Sequence, residues 1–219
     1  MERLGPLVRP EVRRGGALLV VGSLQFIVAM VVVQLAYPHY SDLSNYISDL
    51  GAHTSTASSP LAWLFNGSIC VLGILGIVGT YLMRTAFPNR TTSRIGLGLL
   101  MVAEVFAFLV GVFPEQTPGN VHTDVSSVTF VASGLALLVL GFAMFRDTRW
   151  DGYRGYTFFS GVVTFVAIAL FQANVGGAGY QGLLERIVVA PILLWAILAG
   201  LHLAQMPTFA PAKVSAPSG

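Results

Sequence analysis

The sequence predicts an all-α membrane protein: a six-transmembrane-helix up-and-down bundle with a short interfacial helix in its first outer loop. Three observations predict this. Of 219 residues, 54% are hydrophobic and only 10% charged, and a mean hydropathy of +0.73 is outside the range of a soluble domain. Six runs approach or exceed the roughly 20 apolar residues that cross about 30 Å of hydrocarbon. The twelve basic residues, Arg186 excepted, all fall on one side of a chain that crosses six times.

The first run, 15–36, follows Arg3, Arg9, Arg13 and Arg14, which place the N-terminus in the cytoplasm by the positive-inside rule. A basic start before an apolar run also fits a signal peptide, but this run is longer than the roughly 7–15 residues of an h-region. The loop that follows reads as a helix over Ser41–Gly51, with Ser41 or Asp42 as its cap and Gly51 as its stop. At helical spacing Leu43, Ile47 and Leu50 share one face and Asp42, Asn45 and Asp49 another. Such a helix would lie on the membrane surface, its polar stripe roofing a cavity between the spans.

The second run, 60–83, carries Gly73, Gly76 and Gly79 at intervals of three; the third, 95–113, carries Ala103, Ala107 and Gly111 at intervals of four. Both patterns let helix backbones approach within a membrane. Arg84, Arg90 and Arg94 lie between these runs, and Arg146, Arg149 and Arg154 between the fourth (125–145) and fifth (157–171). The fifth is the shortest and extends through Gln172 and Asn174. The sixth, 183–203, precedes Lys213. Trp63 and Trp150 fit the two interfacial belts. Residues 1–206 thus form one integral membrane domain. Residues 207–219, with Pro207, Pro211 and Pro217 among small residues, read as a disordered cytoplasmic tail. Both termini fall on the cytoplasmic side of the cell membrane.

Composition also excludes some partners. The net charge of +2 is spread over separate cytoplasmic loops, which suits anionic lipid headgroups rather than a nucleic acid. Cys70 is the sole cysteine, so no intramolecular disulfide forms.

The three outer loops contain no lysine or arginine. With their helix ends they hold Asp42, Asp49, Glu115, Asp124 and Glu185, half of the ten acidic residues, and three of the four histidines, His39, His53 and His122. Three segments there carry a family resemblance: Asn45-Tyr46-Ile47-Ser48-Asp49-Leu50-Gly51, then Gly111-Val112-Phe113-Pro114-Glu115 with His122, then Gly182-Leu183-Leu184-Glu185-Arg186. In their order they resemble DUF998, a functionally undefined group of bacterial and archaeal integral membrane proteins. The resemblance implies a compact six-helix membrane domain and brings no substrate with it.

The candidate chemistry gathers on the same side. In a catalytic reading Ser48 or Ser126 is the nucleophile, His122 the base, and Asp49 or Glu115 its orienter. Arg186 is the anion anchor, with Glu185 beside it at the start of the sixth run. Asn66 and Glu104, inside the spans, are further candidate binding groups. His122 with Asp49 and Glu115, joined by His53 or Asp42, would make a mixed nitrogen and oxygen site for a divalent metal, although their spacing matches no metal motif. Each residue also has a structural reading: His122 as a loop cap, Arg186 on a lipid phosphate where the functional reading pairs it with a carboxylate of the outer cluster, Asp49 or Glu115 above all, and Glu104 as a neutral acid bonded to a partner such as Asn66. Gln34, Asn66, Ser126, Ser127, Gln172 and Asn174 all sit near outer helix ends, lining a hydrated pocket or making separate interhelical bonds. Three functions remain open: a site binding or modifying a lipid-like or amphipathic substrate, a transporter or ion-coupled carrier using Glu104, or a structural accessory protein.

Overall fold

The computed structural model describes residues 8–53, 58–145 and 147–206. Six long helices form: α1 (Pro10–Ala36), α2 (Ala62–Met83), α3 (Thr91–Val112), α4 (Val121–Met144), α5 (Arg154–Gln172) and α6 (Gln181–Gln205). Each is long and apolar enough to span a membrane, and each matches one predicted run to within a few residues. The chain is a multi-pass membrane protein. The tail reading for 207–219 lies outside the described residues.

Consecutive helices pack side by side and α6 returns to α1, so the bundle closes as a ring in chain order. Arg9, Arg84, Arg90, Arg94, Arg149 and Arg154 lie at the end holding the start of α1 and the finish of α6, here the termini end; Arg186 lies at the opposite, distal end. Apolar side chains such as Leu35 (84% exposed) and Phe142 (66%) cover the outside, a surface that only a lipid-like solvent satisfies.

The small residues act as the sequence predicts. A Cβ on Gly73 would fall 2.6 Å from the Phe108 backbone nitrogen of α3, and one on Gly16 would fall 2.5 Å from the Gly200 carbonyl oxygen of α6. These crossings bring backbones into contact, where packing rather than hydrophobicity holds membrane helices together. Pro191 sits inside α6 without ending it, as membrane helices permit.

Two elements depart from expectation. The segment 41–51 is not one continuous helix; only Ser48–Gly51 is helical, as a 3₁₀ turn. Its polar side chains take over the local backbone bonds: Asn45 Oδ1 accepts from Ser41 N–H at 3.0 Å and Asp49 Oδ2 from Tyr46 N–H at 3.0 Å. Such bonds compete with a helical ladder. Leu43 consequently stays half exposed while Ile47 and Leu50 are buried. Gly51 is there for space, since a Cβ would overlap the Asn66 side chain. Trp150 is the second departure. It is fully buried rather than interfacial, stacked on Phe87 at 4.8 Å and donating from Nε1 to the Ala86 carbonyl at 3.1 Å. Trp63, 72% exposed at the distal start of α2, fits a belt.

Candidate functional site

The bundle encloses an elongated cavity of about 1010 Å³, its open mouth included, lined by α1, α2, α3, α4, α6 and the first distal loop. It begins at the distal end with Ile47, Ser48, Asn66, His122, Ser126 and Glu185 and descends to Leu19, Gly76, Ile192 and Ala196. Its walls are mainly apolar, with Phe26, Phe65 and Phe130 among them. Toward the termini it is closed by a core that includes Met83, Leu137, Leu140, Met144, Trp195 and Leu203, all essentially inaccessible. Below that lies a layer of Phe87, Trp150, Tyr153 and His202, whose Nε2 bonds the Arg149 carbonyl at 2.8 Å.

The first distal loop is a roof tied down on two sides. Asn66 Nδ2 donates to the Gly51 carbonyl at 3.0 Å, fixing it to α2. On the α6 side Leu183 N–H donates to the Leu43 carbonyl at 3.0 Å and Ile47 N–H donates to Glu185 Oε2 at 2.5 Å. A Cβ on Gly182 would overlap the Asn45 carbonyl, so this glycine is what lets the loop settle on the helix. The roof presents Ile47 and Ser48 to the cavity, whereas the expected stripe of Asp42, Asn45 and Asp49 serves the loop itself.

Arg186 is the centre of that tie. Nη1 donates to the carbonyls of Asn45 (3.0 Å) and Gly182 (2.9 Å), Nη2 donates to the Tyr40 hydroxyl (2.7 Å), and Nη2 forms an ion pair with Asp42 Oδ1 at 2.9 Å. Its carboxylate partner is therefore Asp42, which also accepts from Gln34 at 2.8 Å, and not Asp49 or Glu115. Burial pushes the Tyr40 phenol up to about 12, against the hydrogen bond and charge of Arg186, and its hydroxyl donates to the Tyr46 carbonyl at 2.7 Å. Both terminal nitrogens of the guanidinium are engaged, so Arg186 clasps the first distal loop to α6.

His122 and Ser126 meet as the spacing of one helical turn requires. The Phe113 carbonyl, 2.8 Å from His122 Nδ1, can only accept, so Nδ1 carries the proton. Nε2 faces Ser126 Oγ at 3.5 Å, the outer limit of a hydrogen bond. The orienter of His122 is thus a backbone carbonyl, where the sequence suggests Asp49 or Glu115. Asp49 instead binds Asn45 Nδ2 (2.9 Å) and Tyr46 N–H. Glu115 lies beside it: partial burial first, then the charge of Asp49 and a hydrogen bond with it, hold the Glu115 carboxyl above the ordinary carboxylate range. His53 pairs with Ser58 at 3.0 Å. Among the described residues no three histidine, cysteine or acidic side chains gather as a metal site; His122, Asp49 and Glu115 do not assemble as one.

Glu104 lies two turns below the distal end of α3, on the cavity wall against α2, where a Cβ on Gly76 would overlap its carboxyl. Asn66 is not its partner, being committed to Gly51. None of the three ion pairs among the described residues includes it. Glu185 also lines the cavity and Arg186 does not, which agrees with the roughly 100° between adjacent helical positions.

Of the other polar residues near distal helix ends, Gln34, Ser127, Gln172 and Asn174 stay outside the cavity; Asn174 instead accepts from Gln181 Nε2 at 2.5 Å. Sequence reasoning missed Ser23, Thr129 and Ser133, all on the wall. A signal was present for two of them, since His122, Ser126, Thr129 and Ser133 follow one another at steps of four, three and four down one face of α4. Ser23 in α1 had no comparable signal.

Residues 20–202 match the model of a family described as protein of unknown function, DUF998. The chain belongs to the DUF998 family. No curated protein and no solved structure matches it. The three segments that carry the resemblance meet at the cavity mouth of this DUF998 chain: Ile47 and Ser48 from the first, Phe113 through His122 from the second, Glu185 from the third.

Proposed function

We propose that this DUF998 protein binds an amphipathic, lipid-like molecule inside the bilayer, admitting it from the side of the membrane away from the cytoplasm. The observation that carries the reading is the shape and chemistry of the cavity: apolar walls, a polar mouth of Ser48, Asn66, His122, Ser126 and Glu185, and a closed floor. Concave pockets lined mainly by apolar groups with a few convergent polar ones suit small ligands. The sidedness rests on the basic residues, concentrated at the termini end as cytoplasmic loops are. The closed floor favours a binding site over a path through the bundle.

The test is photolabelling of the purified protein in lipid nanodiscs with an alkyl chain carrying a diazirine. Labels on cavity residues such as Val110, Phe130 and Val189, lost on adding excess unlabelled amphiphile, are the expected result. Labels confined to the outer surface, at Val28, Leu35 and Phe142, and indifferent to competitor would refute the reading.

A further inference from the structure

The charge inside the cavity goes one step further and rests on the reading just given. Two carboxyl groups, Glu104 and Glu185, line it; among the described residues no lysine or arginine does. The one distal guanidinium, Arg186, has its donors turned into the roof. Glu185 already accepts from Ile47 N–H. Glu104 has no hydrogen-bond or charged partner among the described residues.

A second, independent feature marks the same space. Four buried hydroxyls among the described residues, Ser23, Ser59, Thr80 and Ser93, have no hydrogen-bond partner, and of these Ser23, 1% exposed, alone lines the cavity. Buried hydroxyls are normally satisfied. A ligand reaching the lower cavity would complete both groups, taking Glu104 as its counter-ion and Ser23 as a hydrogen-bonding partner.

The geometry points to a lipophilic cation, an apolar body ending in a protonated amine, as the ligand of this cavity, with its ammonium on Glu104 and its body between Glu104 and the mouth. An anion is disfavoured there, since its charge would face two carboxyls with no compensating cation. A carboxylate at this depth is stable as an ion only with a partner, and an ammonium supplies one. About 12 Å of helix rise separates Glu104 from the distal end of α3 at 1.5 Å per residue, along a wall including Ala107, Val110, Ile69, Phe65, Phe130 and Val189. That stretch is apolar and suits an alkyl or aryl body. Phe65 and Phe130 add ring faces of the kind that attract cations.

The experiment compares decylammonium, decyl sulfate and decanol for binding to the full chain in neutral-lipid nanodiscs, wild type beside Glu104→Gln. The prediction is that decylammonium binds most tightly and that Glu104→Gln weakens it roughly tenfold or more, as loss of a desolvated charge partner does. Decanol binding should change little in the same variant, which also shows that the variant is folded. Equal binding of all three probes, or a Glu104→Gln variant that holds decylammonium as well as wild type, overturns the cation assignment while leaving the amphiphile reading intact. Binding of none of the three overturns both.

Discussion

At the termini end of the bundle Trp150 is wholly buried between Phe87 and His202, its indole N–H is bonded to the Ala86 carbonyl, and Asp147 is gripped by Arg149 through the backbone N–H and the guanidinium. Above that core Glu104 and Ser23 line the cavity without partners, and at the distal end Glu115 stands beside another carboxylate. Among the described residues, buried hydroxyls without a partner occur toward both ends, Thr80 and Ser93 toward the termini and Ser59 at the distal end; the difference is that Glu104 and Ser23 alone among the partnerless groups line the cavity. That difference is the physical argument for placing function at the distal end. Core polar groups left open cost stability, and proteins keep such costs where they serve a purpose.

The comparison breaks most visibly at Trp150. Trp150→Ala should lower unfolding stability by about 3–5 kcal/mol, as for other large aromatic truncations in cores, while leaving amphiphile binding by the folded fraction unchanged. Thermal unfolding monitored together with ligand retention checks both halves. A stable variant that loses ligand would mean that the plug belongs to the site.

Arg186 should give an intermediate effect. Arg186→Ala removes three hydrogen bonds, two of them to the roof, together with one ion pair, and is expected to cost about 2 kcal/mol; the ion pair contributes little because Asp42 is 68% exposed. Lysine should not restore it, because one ammonium lacks the fork that reaches Asn45, Gly182, Tyr40 and Asp42 together. Equal stability of Arg186→Ala and wild type would instead return Arg186 to the role of anion anchor.

Much of this was legible in the sequence, and the failures have a common cause. The six spans follow from apolar length, because the bilayer imposes that constraint residue by residue, and the described arginines other than Arg186 gather at one end of the bundle as their spacing along the sequence requires. His122 over Ser126 was legible because one helix fixes both. The partners of Arg186 and His122 were not, because Tyr40, Asn45, Asp42 and the Phe113 carbonyl lie on other segments whose positions depend on packing. Asp49 and Glu115 were the expected partners from composition; Asp42 and the Phe113 carbonyl hold those positions through loop geometry that no periodicity encodes. Ser41–Gly51 misled for the reverse reason: its helical spacing was real, but Asn45 and Asp49 bonded to nearby backbone first.

The smallest expected effect is the pH response, which should have opposite signs at the two ends. Glu115 is raised in the folded protein, so the stability linked to it is full below the ordinary value of 4.5 and is lost as pH rises through the raised value. Against the opposing effect of burial, hydrogen bonds from the Arg149 side chain and backbone, then the charges of Arg149 and Arg90, hold Asp147 below its ordinary value of 3.8. Its stabilisation is full above that value and is lost as pH falls through the lowered one. Glu115→Gln should therefore flatten a decline on the upper side of pH 4.5, and Asp147→Asn a decline below pH 3.8. Melting curves across this range would show either slope, and the same sign in both variants would dissolve the contrast between the ends.

The central claim is that the distal cavity is a ligand site, and blocking its space tests it most directly. Ala107 is on the cavity wall and Val28 is on the outer surface. Native mass spectrometry of the protein purified in mild detergent should find one bound amphiphile in wild type and in Val28→Phe, and a marked loss of it in folded Ala107→Phe. Equal occupancy in the two variants would contradict the account.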